Sequence, residues 1–233
     1  MSATHDGRRP AILAIDCATT QVVVATGSPS GAIDGVTTWP AGYRHGETLL
    51  PTIGRFLGEQ NIRRSRLTGI VVGTGPGAFT GLRVGIATAK GLAHGLGLPL
   101  VGVSTAEALL DAAAASTLAS RDTLVLLLPA GPSDRIVVRH GHPPALLPAG
   151  VEPDLAAGER IVAIDLDGRA DAEALERGED ARRGLGAALV SLGAARLATG
   201  DADDLAALVP EYVTLPRGVR AEGGEVSWSR DLR

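Results

Sequence analysis

The sequence predicts an α/β fold of mixed sheets with helices on their faces, and three observations carry that prediction. The first half alternates short apolar runs of strand length with longer stretches of helical periodicity. Two of the early runs are joined only by a tight polar connection, which reads as a hairpin and makes the sheet antiparallel at its start. The later runs are each reached across a helical stretch, the pattern of parallel crossovers.

The elements follow in order. Ala11 to Ile15 is a short apolar run that reads as a buried strand and ends at Asp16-Cys-Ala-Thr-Thr20. Val22 to Ala25 is a second strand, Ser28-Pro-Ser-Gly31 a turn, and Ile33 to Trp39 a third strand. His45 to Glu59 is helical, with Leu49, Leu50, Ile53, Phe56 and Leu57 on one stripe and Glu47, Arg55 and Glu59 off it. Asn61 to Arg66 is a basic linker, and Gly69 to Gly73 is a strand. The loop Thr74-Gly-Pro-Gly-Ala-Phe-Thr-Gly81 leads into a helix over Leu82 to Leu96. Leu98 to Val103 is a strand. Ser104-Thr-Ala-Glu107 reads as a capping box, Ser104 serving the amide three residues on and Glu107 reaching back, and it opens an Ala-rich helix to about Leu118. A boundary falls near residues 118–122. Beyond it Thr123 to Leu128, Arg135 to Arg139 and Arg160 to Ile164 read as strands. Pro143, Pro144, Pro148 and Pro153 mark loops, and Gly184 to Leu197 is a helix. The segment from Arg217 is polar and reads as a loose tail.

Composition removes several function classes. Of 233 residues 45% are hydrophobic, enough for a sizeable core. The net charge of −4 argues against stand-alone nucleic-acid binding, which needs a basic surface. Aromatics at 3% argue against base-stacking platforms. The single cysteine, Cys17, cannot form an internal disulfide, and zinc sites built from cysteines are excluded. With neither a signal-peptide core nor a membrane-length apolar run, the chain reads as cytoplasmic.

Candidate chemistry gathers in two loops. Asp16, placed after a buried strand, can hold a hydrated metal, and Thr19 and Thr20 can hold phosphate oxygens. The plainer alternative is that all three satisfy their own turn. The loop with Gly75, Gly77 and Gly81 is neither a Walker A motif nor Gly-x-Gly-x-x-Gly, since position 80 is Thr and no Gly-Lys-Ser/Thr follows. Its strand-to-glycine-to-helix form can seat an anion. Alternatively the glycines supply positive φ, with Thr80 as N-cap and Phe79 as an apolar plug. The helix behind it carries a core stripe, Leu82, Ile86, Ala89, Ala93 and Leu96. It also carries a second stripe of small residues, Val84, Thr88, Gly91 and Gly95, suited either to packing on the chain's own sheet or to a protein interface. The five histidines show no metalloprotease spacing, and His140-x-His142 reads as a solvated loop. No Gly-x-Ser-x-Gly elbow is present. Cys17 is blunted by the neighbouring Asp.

Three segments then carry a family resemblance: Ile12-Leu-Ala-Ile-Asp-Cys-Ala-Thr19, His45-Gly-Glu-Thr-Leu-Leu-Pro51 and Gly73-Thr-Gly-Pro-Gly-Ala-Phe-Thr-Gly-Leu-Arg-Val-Gly85, with Val101-Gly-Val-Ser-Thr105 following. Together they resemble the TsaB (YeaZ) family, which serves the formation of threonylcarbamoyladenosine in tRNA. The signature residues are Asp16, Thr19, Gly75, Pro76, Gly77, Phe79, Thr80, Gly81 and Arg83. Past residue 110 the likeness rests mainly on Pro210-Glu-Tyr212.

The resemblance implies an actin-like, sugar-kinase-like (ribonuclease-H-like) fold: a flexible N-terminus over 1–10, a first lobe over 11–119, a smaller, divergent second lobe over 120–216 and the tail over 217–233. It implies a non-catalytic subunit that binds a paralogous TsaD-type catalytic subunit, with a TsaE-type ATPase joining. It places tRNA in contact only through the complex, admits pairing of two copies of the chain, and involves no membrane. The interface it implies uses Leu49, Leu50, Ile53 and Leu57 of one helix and Val84, Thr88, Gly91 and Gly95 of the other. No cofactor is expected in this chain alone, ATP or ADP being admitted only at the partner interface. The family's former glycoprotease label finds no nucleophile or metal constellation here. The acidic residue and Tyr that the family shows in the second lobe are missing from Leu128-Pro-Ala-Gly-Pro-Ser-Asp-Arg-Ile-Val137. The rival reading is a stand-alone kinase or ATPase of the actin-like superfamily. It needs a second phosphate loop with an Asp, for which Ile164-Asp-Leu-Asp-Gly168 is the only candidate.

Overall fold

In the computed structural model the described residues are 9–41 and 45–213. The expected flexible N-terminus, apart from its last two residues, and the loose tail from residue 217 lie outside them.

Strand β1 (Ala11–Asp16) is buried at all six positions, as a central strand covered on both faces must be. β2 (Gln21–Gly27) returns antiparallel beside it, and β3 (Ile33–Pro40) returns beside β2. On the other side β4 (Leu67–Gly73) and β5 (Leu100–Val103) add in parallel, reached through helices α1 (His45–Glu59) and α2 (Phe79–Leu96). The sheet order is β3-β2-β1-β4-β5.

The second sheet repeats the plan in shortened form. β6 (Leu124–Ala130), β7 (Asp134–Arg139), β8 (Ala145–Leu147) and β9 (Arg160–Ala163) run in the order β8-β7-β6-β9, with β9 parallel to β6. β8 is a strand that the prolines around it had hidden. Where the first sheet has α1, the second has only a coil over residues 148–159.

Two helices fill the space between the sheets. α3 (Thr105–Thr117) and α4 (Ala172–Ala198) pack against each other. Their small residues, Ala106, Ala113, Ala181 and Ala194 among them, share one core with Ile12, Val23 and Val71 of the first sheet and Leu126, Ile136 and Val162 of the second. α1 and α2 lie on the opposite face of the first sheet and bury Leu13, Ile15, Val24 and Val72. After α4 the chain returns along β5. Asp203 accepts from Gly102 N (2.6 Å) and is gripped by Arg196, whose own charge Asp201 and Asp203 hold firmly in place.

Several local expectations change. α2 begins at Phe79, three residues early, because Ala78 takes the cap position without a side-chain bond; Thr80 is exposed inside the helix and caps nothing. Half of the capping box forms: Ser104 Oγ accepts from Glu107 N, but Glu107 turns away to His140 Nδ1 (2.6 Å). His140 is therefore a half-buried link between the end of β7 and α3 and no solvated loop residue. α4 starts twelve residues before Gly184, capped by Asp171, which accepts from Ala174 N (2.7 Å). Leu96, placed on the core stripe of α2, is 36% exposed. Among the described residues no helix is long and apolar enough to cross a membrane.

Candidate functional site

Asp16 closes β1 from inside the protein. It is fully buried, accepts Thr105 Oγ1 at 2.5 Å and Ala18 N at 2.8 Å, and is pressed by Gly73, where a Cβ would overlap its carboxylate. Burial raises its pKa to about 6, against the pull of those two hydrogen bonds. The neighbouring Cys17 thiol is pushed far up by burial and by Asp16. Thr19 Oγ1 donates to Gln21 O and accepts from Gln21 N, closing its own turn. The self-satisfied turn is thus built in part: Thr19 and one oxygen of Asp16 serve the turn, while the other Asp16 oxygen is held by Thr105 and Thr20 reaches across to Asp165.

The glycine loop leans on that same turn. Ala78 N donates to Ala18 O at 2.7 Å. Gly77 and Gly81 lie so close to the carbonyls of Ala18 and Cys17 that any side chain would strike main chain, and Gly85 continues the row beside Cys17 Sγ. Gly75 takes φ +104°. Its amide donates to Thr105 Oγ1 (3.1 Å) and its carbonyl accepts Ser104 Oγ (3.1 Å); Pro76 beside it is buried. The glycines therefore seat α2 against the β1–β2 turn, and the room a phosphate would need is filled by the chain itself.

Phe79 is no internal plug. Its ring is covered by the Arg83 guanidinium at 3.8 Å, and Arg83 Nε donates to Tyr212 Oη at 2.9 Å. The Pro210-Glu-Tyr212 element is thus brought to the loop it accompanies in the sequence pattern. Glu211 N donates to Thr74 O (2.8 Å). The Glu211 carboxyl sits above its ordinary pKa, through half burial and the nearby Glu107 charge, although Ser104 bonds it.

The second lobe closes onto the first through Asp165. Held at φ +55°, it accepts Thr20 N at 2.7 Å, Thr20 Oγ1 at 2.5 Å and Arg182 Nη2 at 2.7 Å. Both charged side chains are at least nine-tenths buried. Asp165, one of the two acids in the segment expected as the only candidate for a second phosphate loop, thus accepts the Thr20 amide of the hairpin. Nothing in the sequence pointed to Arg182, which sits in a charged, aperiodic stretch. Asp165 thus bridges the β1–β2 turn of the first sheet and α4.

The outer face of α1 and α2 is the other candidate. Leu49, Ile53 and Leu57, expected at an interface, are at most 5% exposed and belong to the core under the first sheet; that reading of them is corrected, since one stripe of α1 must hold the helix down. Val84 and Thr88 are half-buried. Leu50 is 53% exposed, and Gly91 and Gly95 are exposed with nothing within 4 Å of where a Cβ would stand. Gly54 and Gly58 on α1, which the sequence reading passed over, are equally open. Between the two helices runs a groove of about 550 Å3 lined by Leu50, Gly54, Leu57, Gly58, Leu92 and Leu96 among others. Among the described residues no group of three or more His, Cys, Asp and Glu is arranged to hold a metal.

Comparison with known proteins follows the same lines. The profile of the family described as TsaD, tRNA N6-adenosine threonylcarbamoyltransferase, matches residues 32–165. The Escherichia coli tRNA threonylcarbamoyladenosine biosynthesis protein TsaB is 37% identical over 94 residues, 40% of each chain. An uncharacterized protein of Mycobacterium tuberculosis is 42% identical over 82 residues, 35% of this chain and 36% of the other. The aligned stretch thus spans less than half the length of these relatives. The structure of YeaZ from Pseudomonas aeruginosa superposes with a TM-score of 0.67 at 24% identity, covering 87% of this chain and 99% of that one. That likeness establishes the two-lobed actin-like, ribonuclease-H-like fold.

Proposed function

Because the chain belongs to the TsaB (YeaZ) branch of the family described as tRNA N6-adenosine threonylcarbamoyltransferase, we propose that it is a non-catalytic scaffold subunit for threonylcarbamoyl transfer to adenosine 37 of tRNA. It docks a paralogous TsaD-type catalytic subunit on the outer face of α1 and α2. One observation carries this reading: apart from Leu50 and Leu96 the two helices keep their large apolar residues against their own sheet, and both turn glycines outward, Gly91 and Gly95 on α2 and Gly54 and Gly58 on α1, the latter pair lining a groove that also exposes Leu50. Glycine costs a helix interior about 1 kcal/mol against alanine. Four of them on an exposed surface bring no gain to the isolated chain, whereas in a helix–helix contact they let backbones approach closely. The paralogue shares this fold and can offer the equivalent helices, so the two subunits meet through like surfaces, and two copies of this chain can pair by the same face.

The occupied cleft supports a non-catalytic role. Asp165 holds the hairpin amide, and the carbonyls of Cys17 and Ala18 fill the glycine loop. Adenine nucleotide belongs at the interface with the partner, the TsaE-type ATPase joins the pair, and tRNA is met only through the assembled complex. The experiment is calorimetric titration of the purified chain with the TsaD-type subunit of its own genome. A saturable 1:1 complex, weakened by Gly91→Leu, is expected; no complex at tens of micromolar protein would overturn the reading.

A further inference from the structure

The two lobes share a sheet topology, but only the first has its outer face roofed by a pair of helices. In the second lobe that face presents Leu127, Val137, Leu147 and Ile161, covered by Leu166 and by Ala174 and Leu175 of the first turn of α4, with the coil over 148–159 alongside. The cover is incomplete. A cavity of about 480 Å3 remains between the coil and the turn that leads into α4, within the range of small-ligand sites. Leu127 and Ile161 form an apolar floor. Arg135 and Arg169 provide cationic walls, Glu152 stands at the rim, and Asp171 also lines the cavity, its Oδ1 turned to the Ala174 amide at the start of α4.

Arg135 is unusual. Its side chain is 7% exposed, and a guanidinium at that depth is unfavourable unless it is paired. Its anionic partner is Glu152, gripped at both oxygens (Nη1 to Oε2 3.2 Å, Nη2 to Oε1 2.9 Å), yet the Glu152 side chain is 74% exposed. The neighbouring pair is built the other way round. Arg139 is the more exposed member, while Glu159 is 10% exposed, bonded twice by Arg139 and again by Ala156 N. That second pair fastens the coil to β7. Arg135 itself keeps a second hold on the coil, Nη2 donating to the Val151 carbonyl, so the coil is tied to β7 at points other than the Glu152 carboxylate. Across the cavity Arg169 donates to the carbonyls of Gly131, Pro132 and Asp165 and meets no carboxylate among the described residues.

We propose that this cavity is a binding site for a small aliphatic dicarboxylate. One carboxylate replaces Glu152 in the fork of Arg135, the hydrocarbon body lies on Leu127 and Ile161, and the second carboxylate meets Arg169. The group that now fills the fork identifies the chemistry: a planar carboxylate held by two parallel donors, the geometry in which arginine discriminates best. Glu152 is an internal competitor that lowers apparent affinity by the fraction of time it occupies the fork.

Adipate is the probe, with uncharged 1,6-hexanediol as control, titrated by calorimetry into the full chain. The wild type is expected to bind one adipate weakly, and Glu152→Gln to bind it about tenfold more tightly because the competitor is gone. Arg169→Gln is expected to weaken binding severalfold, and Arg135→Met to abolish it; should the latter fail to melt cooperatively, Arg169→Gln in the Glu152→Gln background decides alone. Adipate that fails to bind a folded Glu152→Gln variant, affinity unchanged by Arg169→Gln, or equal binding of 1,6-hexanediol would each overturn the proposal.

Discussion

Asp165 Oδ1 and Thr20 Oγ1, 145 residues apart along the chain, stand 2.5 Å from each other and join the two lobes. The same carboxylate holds Arg182, so one acidic side chain closes the cleft and neutralises a buried cation. Asp165→Ala leaves Arg182 with only the exposed Glu179 at 3.4 Å, and breaking a buried pair from one side costs up to about 3–5 kcal/mol. A melting temperature lower by roughly 6–15 °C is expected. Asp165→Asn, which tolerates the positive φ and keeps an acceptor, should fall in between. A melt unchanged in Asp165→Ala would show that the contact does not hold the lobes.

Glycines of the same helix should respond in opposite ways. Gly81→Ala drives a methyl into the Cys17 carbonyl, and loss of several kcal/mol or of soluble protein is expected, as for other overpacked sites. Gly91→Leu meets open space in the isolated chain, so its melt should stay the same or rise slightly, while affinity for the TsaD-type partner drops about 5- to 150-fold. Unchanged affinity would move the interface away from α2.

The buried carboxyl of Asp16 gives the melt a pH signature. Its pKa is raised to about 6 in the folded protein, so the folded state binds the proton more tightly than the unfolded chain. The corresponding stability is present below the unfolded value near 4 and is lost as pH rises through about 6, by up to about 3 kcal/mol. Glu211 acts in the same direction. Asp16→Asn carries no charge, and the difference in melting temperature between variant and wild type should grow from about pH 4.5 to about pH 7. Parallel pH profiles would refute the assignment.

Purified alone, the chain should bind tRNA only weakly, with a dissociation constant above about 10 μM at roughly 150 mM salt, because its net charge is −4 and phosphate contacts need a basic track. Filter binding or a mobility shift, with and without the TsaD-type subunit, measures this directly. A submicromolar, salt-sensitive complex without a partner would sink the scaffold reading of tRNA contact.

The first lobe was legible because its elements obey simple periodicities: the stripe of α1 placed that helix at its observed limits, and the unbroken apolar run Ala11–Ile15 of β1 marked a buried central strand. The stripe said which face is apolar but not what it faces, which is why Leu49, Ile53 and Leu57 were assigned to a partner when they hold the helix to its own sheet. The first twelve residues of α4 were missed for a physical reason. Their buried row is Ala174, Gly178 and Ala181, too small to stand out among the surrounding charges, and only the Asp171 cap marked the start. The pairing of Asp165 with Thr20 depends on the closure of two lobes, which no local pattern encodes. The signature glycines were legible as a motif, but their role against the Ala18 and Cys17 carbonyls emerges only when the hairpin is in place.

α4 is made late and used early. The inner face of the first sheet, with Ile12, Val23 and Val71, finds its cover partly in Leu189, Val190 and Ala194, residues near the end of the described chain. During vectorial synthesis the ribosome therefore releases a complete five-stranded sheet with one greasy side bare, and that side stays bare while about ninety more residues are polymerised, several seconds at ordinary translation speeds. A stop codon anywhere between the two sheets yields a sticky fragment and no smaller working protein.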